Sequence, residues 1–195
     1  SYTPGWKKHV AKAFKEALSI PVIATNTIKD PDFAESLLEE GVSDFVGVSR
    51  GQMADPEWVN KARAGREDLI RKCMGCMQCN KSVVQDGYLS CAANPVTGRG
   101  TMYNDEYLIR SGAGRNVVVI GGGPAGMQAA ITLAKRAFHV ILLEQKSYLG
   151  GMAYLATVPP HKTMVAEFIK TLEAEMKELG VDVRMNVTAD VATVK

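Results

Sequence analysis

A glycine-rich turn between an apolar strand and a helix constrains the fold of this 195-residue chain more than any other feature. The segment NVVVIGGGPAGMQAAITLAKRAFHVILLEQ predicts a strand, the turn Gly121-x-Gly123-x-x-Gly126, a helix from Pro124 to Arg136 and a second strand. The first glycine permits the tight turn, the second lets the backbone approach a pyrophosphate, and the third allows close packing of helix on strand. The pattern predicts a Rossmann-like βαβ unit that binds a dinucleotide.

Glu144 indicates which dinucleotide this unit binds. It closes the second strand about 20 residues after the turn, where a carboxylate can accept hydrogen bonds from the two ribose hydroxyls. Because a carboxylate there repels a 2′-phosphate, we expect FAD or NAD rather than NADP. Pro124 and Ala125 open the helix, whose free N–H groups and positive dipole end favour phosphates. Ala137 stands where such units usually carry a left-handed glycine, at an expected cost of roughly 1 kcal/mol.

All cysteines of the chain lie in one short stretch. Three follow at two-residue spacings and the fourth after eleven residues: Cys73, Cys76, Cys79 and Cys91. Four thiolates hold cubane iron–sulfur clusters, and ferredoxin-like runs use this spacing, with Gly75 helping the backbone to wrap around the cluster. Structural zinc is the main alternative, although it more often uses two separated CxxC pairs. Disulfides fit less well, because the chain is not small and shows no secretory signal; we expect a reducing, cytoplasmic setting.

The first part of the chain alternates helices with short apolar strands. The runs IPVIAT (20–25) and DFVGVS (44–49) are typical of strands buried on both faces, and a helix that begins with Asp30 and Pro31 and ends at Gly41 lies between them. This alternation predicts a parallel sheet with right-handed crossovers. Two βα units cannot close a sheet, so we expect either the end of a larger barrel or the edge of another sheet.

Composition excludes two classes of partner. The formal net charge is +2, which gives no electrostatic case for nucleic acid or a membrane surface. No apolar run approaches the roughly 20 residues of a membrane span. The sequence lacks an initiating Met and stops without an evident domain end, so we expect a portion of a longer protein.

The order of these features resembles the multidomain members of the old yellow enzyme family, which include 2,4-dienoyl-CoA reductase, 2-enoate reductases and trimethylamine dehydrogenase. The stretch from IPVIAT to ADPEW looks like the last two βα units of an FMN-binding (β/α)₈ TIM barrel. CMGCMQC with Cys91 looks like the 4Fe-4S loop, and NVVVIGGGPAGMQAA with LLEQKSYLGGM looks like the start of a Rossmann-like FAD/NAD(P)-binding domain. The resemblance implies an α/β chain in three parts: barrel end 1–70, iron–sulfur segment and linker 71–114, and FAD domain 115–195.

The resemblance also implies residues for each cofactor. The FMN phosphate would be held after the two barrel strands by Thr25, Asn26, Thr27, Ser49 and Arg50, in keeping with the phosphate sites of such barrels. Arg50 is the strongest candidate because it supplies a charge-assisted partner. Thr27 stands where relatives often have Arg, and Ser49 where many have Gly or Ala. FAD would be held by Gly121, Gly123, Pro124, Ala125, Gly126, Glu144, Gly151 and Lys170.

By the same resemblance, electrons would pass from NAD(P)H through FAD and the 4Fe-4S cluster to FMN, which would reduce an activated C=C bond of a small substrate. The alternatives are an amine dehydrogenase, with ADP in the dinucleotide site, and a non-catalytic electron-transfer or zinc-stabilised module. No catalytic acid or base can be named. We expect the missing N-terminal barrel and C-terminal remainder to be needed for turnover, with a homo-oligomer possible.

Overall fold

The computed structural model describes residues 3–103 and 107–194. They form two compact units, one ending at Thr97 and the other beginning at Gly98. This boundary falls inside the predicted segment 71–114, so all four cysteines belong to the first unit. Each unit is described by itself below.

The helices and strands of the first unit alternate up to the cysteine segment. In chain order they are α1 (Lys8–Ala17), β1 (Ile23–Ala24), α2 (Pro31–Glu39), β2 (Phe45–Val46), α3 (Arg50–Ala54), α4 (Trp58–Arg63), a 3₁₀ turn (Glu67–Leu69) and α5 (Gln78–Asp86). Helix α2 begins as predicted, because the Asp30 carboxylate accepts a hydrogen bond from the backbone N–H of Asp32 and Pro31 occupies the first helical position. The parallel order β1–β2 is also as predicted.

The two strands of the first unit differ from the prediction in length and burial. Each contains two residues, and Ile23 pairs with Phe45 while Ala24 pairs with Val46. Ala24 is buried against a core that includes Leu37 and Trp58. The prediction is of strands buried on both faces, whereas Ile23 and Phe45 are 59% and 58% exposed among the residues that the structure describes.

The second unit contains the predicted βαβ pattern. Its elements are α6 (Gly100–Tyr103), β3 (Asn116–Ile120), α7 (Pro124–Lys135), β4 (His139–Glu144), α8 (Gly151–Leu155), α9 (Thr163–Glu178), β5 (Asp182–Met185) and α10 (Val191–Val194). The strands form a parallel sheet in the order β3–β4–β5. Helices α7 and α9 pack together beside it, and their buried side chains, such as Met127, Ile131 and Leu172, form the core with Leu142 of β4.

Ala137 follows helix α7 in the left-handed conformation that the sequence predicts, with φ of 66°. Its backbone N–H donates to Ala134 O, and the N–H of Phe138 donates to Leu133 O, which satisfies the last carbonyls of the helix. None of the helices formed by residues 3–103 and 107–194 is long and apolar enough to cross a membrane.

Candidate cofactor sites

The turns that follow β1 and β2 line one cavity of about 270 Å³ in the first unit. Its lining contains all the residues that the sequence analysis assigned to a phosphate: Thr25, Asn26, Thr27, Ser49 and Arg50. They meet because the carboxyl ends of neighbouring parallel strands emerge at the same edge of a sheet. Lys29 and Cys73 line the same cavity, and neither was assigned to it from the sequence. The arrangement offers hydroxyl, amide and cationic groups to one ligand.

The turn after β1 has a strained backbone at this cavity. Asn26 and Thr27 adopt positive φ angles of 87° and 59°. The Thr27 hydroxyl donates to the Asn26 side-chain oxygen over 3.0 Å, which supports the turn. Such conformations cost of order 1 to 3 kcal/mol for residues other than glycine, and they concentrate at functional sites. The strain is therefore consistent with a turn shaped for a ligand.

A second cavity in the same unit is lined by Cys73, Cys76, Cys79 and Cys91. None of the four is in a disulfide. Arg50 and Cys73 also line the first cavity, so the two cavities share a wall. Among residues 3–103 and 107–194, no three His, Cys, Asp or Glu side chains form a ready metal-binding group. The cysteines surround one space without yet converging to ligand geometry.

Two residues with left-handed backbone conformation shape the cysteine loop. Gly75 has φ of 70° and Met77 has φ of 61°, after which helix α5 begins at Gln78. The N–H of Gly75 donates to the Cys73 sulfur over 3.4 Å, which ties the loop backbone to this side chain. Gly75 thus has the backbone conformation that the predicted wrapping needs, whereas nothing in the sequence pattern singled out Met77.

Long-range hydrogen bonds hold the two ends of the cysteine loop together. The Arg71 guanidinium donates to Ala93 O over 3.0 Å, and its backbone N–H donates to Asp55 Oδ2 over 3.0 Å. At the far end, the Asn94 amide donates to Met53 O over 3.2 Å. Arg71, Asp55 and Asn94 are all buried, so these bonds lie in a low-dielectric setting where they are strong. These bonds tie the two ends of the loop to Asp55, Met53 and each other.

The surroundings of Cys91 favour the neutral thiol, so a thiolate there needs a neutralising cation. Burial raises the pKa of the Cys91 thiol, the backbone groups of Ala93 and Asn94 lower it, and the neighbouring Cys73 and Cys76 raise it further. Thiolates gathered in such a cavity need a cation to neutralise them, and a sulfur-only donor set selects iron–sulfur clusters or zinc. The residues present therefore fit a thiolate-held metal group.

In the second unit the glycine turn is held by close backbone approach. Gly121 has φ of 101°. A Cβ atom at Gly126 would lie 1.9 Å from the carbonyl oxygen of Gly121, so only glycine fits there. A Cβ at Gly122 would lie 2.4 Å from the Leu149 side chain. The spacing therefore has the physical basis that the sequence indicated, and Gly122 is a further position that the motif did not assign.

The Glu144 side chain holds this turn through a hydrogen bond to the backbone of Gly122. It is 7% exposed, and its Oε2 accepts a hydrogen bond from Gly122 N over 2.7 Å, while Oε1 accepts one from Lys146 N over 2.8 Å. A carboxylate has about four lone-pair sites, so two bonds leave capacity for a ribose hydroxyl. Glu144 thus holds the turn at Gly122, and its contact with a ribose stays a prediction.

The remaining predicted FAD residues fall into two groups. Gly151 lies against the turn, because a Cβ there would be 3.0 Å from Gly123 Cα, and Gly150 N donates to Gly122 O over 2.8 Å. Pro124 and Ala125 open helix α7 directly after the turn. Lys170 is exposed on α9. Burial raises the pKa of the nearby Glu173, and the charge of Lys170 opposes this rise. A contact of Lys170 with FAD stays a prediction.

The two units match different family models. Residues 2–69 match the NADH:flavin oxidoreductase / NADH oxidase family, and residues 116–190 match the FAD dependent oxidoreductase family. An NADH oxidase of Thermoanaerobacter brockii is 46% identical over 195 residues, 99% of this chain and 30% of the relative. An N,N-dimethylglycine/sarcosine dehydrogenase of Chromohalobacter salexigens is 36% identical over all of this chain and 28% of its own length.

Solved structures lead to the same family. A 2-naphthoyl-CoA reductase in complex with 2-naphthoyl-CoA superimposes with a TM-score of 0.91 at 28% identity, over 99% of this chain and 29% of that one. The chain thus spans at most about 30% of the length of these relatives. Each unit matches a family of flavin enzymes. The two relatives named above align along nearly the whole chain and so include both units. The chain therefore belongs to the NADH:flavin oxidoreductases of the old yellow enzyme family.

Proposed function

We propose that this protein is a flavin- and 4Fe-4S-dependent reductase in which electrons pass from NAD(P)H, via FAD and the cluster, to FMN for reduction of an activated C=C bond. The observation that carries the proposal is the wall shared by the two cavities of the first unit. Arg50 and Cys73 each line both cavities, so a flavin phosphate and a thiolate-held cluster would bind side by side. A one-electron carrier next to a flavin suits transfer between cofactors too far apart for hydride transfer.

The residues of this chain would bind and orient these groups. Arg50 would pair with the FMN phosphate, while Thr25, Asn26, Thr27 and Ser49 would complete its cradle. The cysteine loop would supply the thiolates, on ends already tied by Arg71 and Asp55. In the second unit the glycine turn would carry the pyrophosphate and Glu144 the ribose of FAD.

The substrate class is an enoate or an enoyl-CoA thioester, supported by the likeness to a 2-naphthoyl-CoA reductase. Within the described residues we assign no catalytic acid or base. Further βα units of the barrel would supply it, and they would also cover the exposed face of β1 and β2 at Ile23 and Phe45. Small-molecule turnover would then need those units together with this chain.

A second candidate function is amine oxidation, favoured by the likeness to an N,N-dimethylglycine/sarcosine dehydrogenase. Electrons would then leave the amine, and the dinucleotide site would hold ADP. The geometry of the glycine turn suits both nucleotides, because each carries a pyrophosphate and a ribose. The identity of the bound nucleotide therefore separates the two candidates.

The test uses the full-length purified protein under anaerobic conditions. The reductase predicts that NADH or NADPH bleaches the flavin absorption, that cinnamate or an enoyl-CoA restores it, and that FAD is extracted on denaturation. Flavin bleaching by N,N-dimethylglycine without a nicotinamide, with ADP in the extract, would replace the reductase by the dehydrogenase. Protein that binds zinc and no flavin would contradict both.

A further inference from the structure

Lys29 occupies a fixed place in the wall of the first cavity. Its backbone oxygen accepts a hydrogen bond from the Trp58 indole N–H over 3.2 Å, and Trp58 is 6% exposed. The preceding residue, Ile28, is also buried. The base of the Lys29 side chain is thus anchored in the core, while the half-buried side chain itself lines the cavity.

A phosphate bound in this cavity would need a second cation beside Arg50 to neutralise it. A phosphate monoester carries a charge of about −1.5 to −2 at pH 7. Arg50 can neutralise one of these charges, and its guanidinium also donates to Met77 Sδ over 3.0 Å. The cavity lining described here contains no carboxylate, and Lys29 is the other cationic side chain in it.

The carboxylate next to Lys29 in the sequence, Asp30, is engaged by other groups. Asp30 accepts a hydrogen bond from Asp32 N and forms an ion pair with Lys72. In the part of the chain that the structure describes, no ion pair involves Lys29. A half-buried ammonium that pairs with no carboxylate of the described residues and faces a polar cavity favours an anionic ligand.

We propose that Lys29 is the second cation of the phosphate site and binds the phosphate of FMN together with Arg50. The inference rests on the proposed function, which places FMN in this cavity. Lys29 also borders the cysteine loop, because its Nζ lies 3.8 Å from the position that a Cβ of Gly75 would occupy. The ammonium could there neutralise thiolates instead of phosphate, and the experiment separates the two roles.

The experiment compares Lys29→Met with Lys29→Arg and with Lys12→Met, which removes an exposed lysine of α1 outside the cavity. Flavin is released from the purified full-length protein, and rebinding of FMN and of riboflavin is followed by quenching of flavin fluorescence at several salt concentrations. Lys29→Met should raise the Kd for FMN about tenfold, in line with the loss of one charge-assisted hydrogen bond. Its Kd should also depend less steeply on salt, because one ionic contact is lost.

Each outcome has a distinct meaning. Riboflavin lacks the phosphate, so its Kd should be the same in Lys29→Met and in the wild type, and Lys29→Arg and Lys12→Met should bind FMN like the wild type. An unchanged Kd for FMN in Lys29→Met would overturn the assignment, as would an equal loss of riboflavin binding. Loss of iron with unchanged FMN affinity would assign Lys29 to the cysteine loop. Wild-type protein that binds no FMN would overturn the proposed function itself.

Discussion

The two units of this chain form their candidate sites in different ways. In the second unit the glycine turn is held by backbone contacts, with Gly126 against Gly121 and Gly122 bonded to Glu144, beside a three-stranded sheet. In the first unit the sheet has two short strands, and the site consists of side chains on turns: cations around one cavity and thiols around the next. The site in the second unit is therefore shaped by packing. The two cavities of the first unit are shaped by cationic and thiol side chains.

This difference predicts how each site fails. A site shaped by backbone approach should be lost when a single methyl group is added at the contact, whether or not a ligand is present. A site shaped by charge should stay folded when one charged side chain is changed, provided that this side chain takes no part in the hydrogen bonds that tie the loop ends. Its ligand affinity should then fall without a comparable fall in the free energy of unfolding. The variants below test this contrast in order of decreasing effect on stability.

Gly126→Ala should have the largest effect. Its Cβ would lie 1.9 Å from the Gly121 carbonyl oxygen, a backbone atom that cannot rotate away. We expect a loss of about 3 kcal/mol in the free energy of unfolding, as for overpacked cores, together with loss of FAD. Urea unfolding and the FAD content per chain measure both effects. Gly100→Ala is the matched control, since nothing lies within 4 Å of a Cβ there; FAD retained in Gly126→Ala would contradict the packing account.

Asp55→Asn should have an intermediate effect on the first unit. Asp55 is 3% exposed, and its Oδ2 accepts hydrogen bonds from Lys61 Nζ over 2.5 Å and from the backbone N–H of Arg71. The amide would leave the Lys61 charge without its partner and loosen one end of the cysteine loop. We expect a loss of about 2 kcal/mol, typical of a buried charged hydrogen bond.

Asp68→Asn is the control for Asp55→Asn, because Asp68 pairs with Arg66 at the surface. Exposed pairs of this kind contribute about 0 to 1 kcal/mol. Chelator challenge of the purified protein should also remove metal faster from Asp55→Asn than from the control. Equal stability and equal metal loss in the two variants would show that Asp55 does not hold the loop.

Ala137→Gly should stabilise the second unit. Ala137 has φ of 66° and is exposed, so a glycine relieves left-handed strain without removing packing. The expected gain is about 1 kcal/mol, visible as a higher Tm. Ala156→Gly, at a φ of −71°, is the matched control and should be destabilising instead. A fall in Tm for Ala137→Gly would mean that the helix end gains nothing from the relief of strain.

The second unit could be predicted from sequence more completely than the first. The strand, turn and helix around Gly121 to Gly126, the strand end at Glu144 and the left-handed Ala137 are all local features, fixed by residues a few positions apart. The parts that sequence did not indicate are long-range. Cys73 lines the first cavity only because the chain returns there more than 40 residues after Thr27, whereas Lys29 follows Thr27 by two residues and carries no motif that marks it.

Two further features of the first unit explain the limits of prediction. The ties from Arg71 to Asp55 and Ala93 join residues 16 and 22 positions apart, and no periodicity signals such pairs. The apolar runs containing β1 and β2 were interpreted as buried on both faces, yet Ile23 and Phe45 are exposed. An apolar run gives the tendency to be buried, whereas burial itself depends on what packs against each face.

The central proposal is that the four cysteines beside the first cavity hold an iron–sulfur cluster. The most direct measurement is iron, acid-labile sulfide and zinc per chain in anaerobically purified protein, for the wild type and for Cys76→Ser. The account predicts about four iron and four sulfide in the wild type, little zinc, and loss of the cluster in Cys76→Ser. Zinc in place of iron, with no acid-labile sulfide, would contradict it.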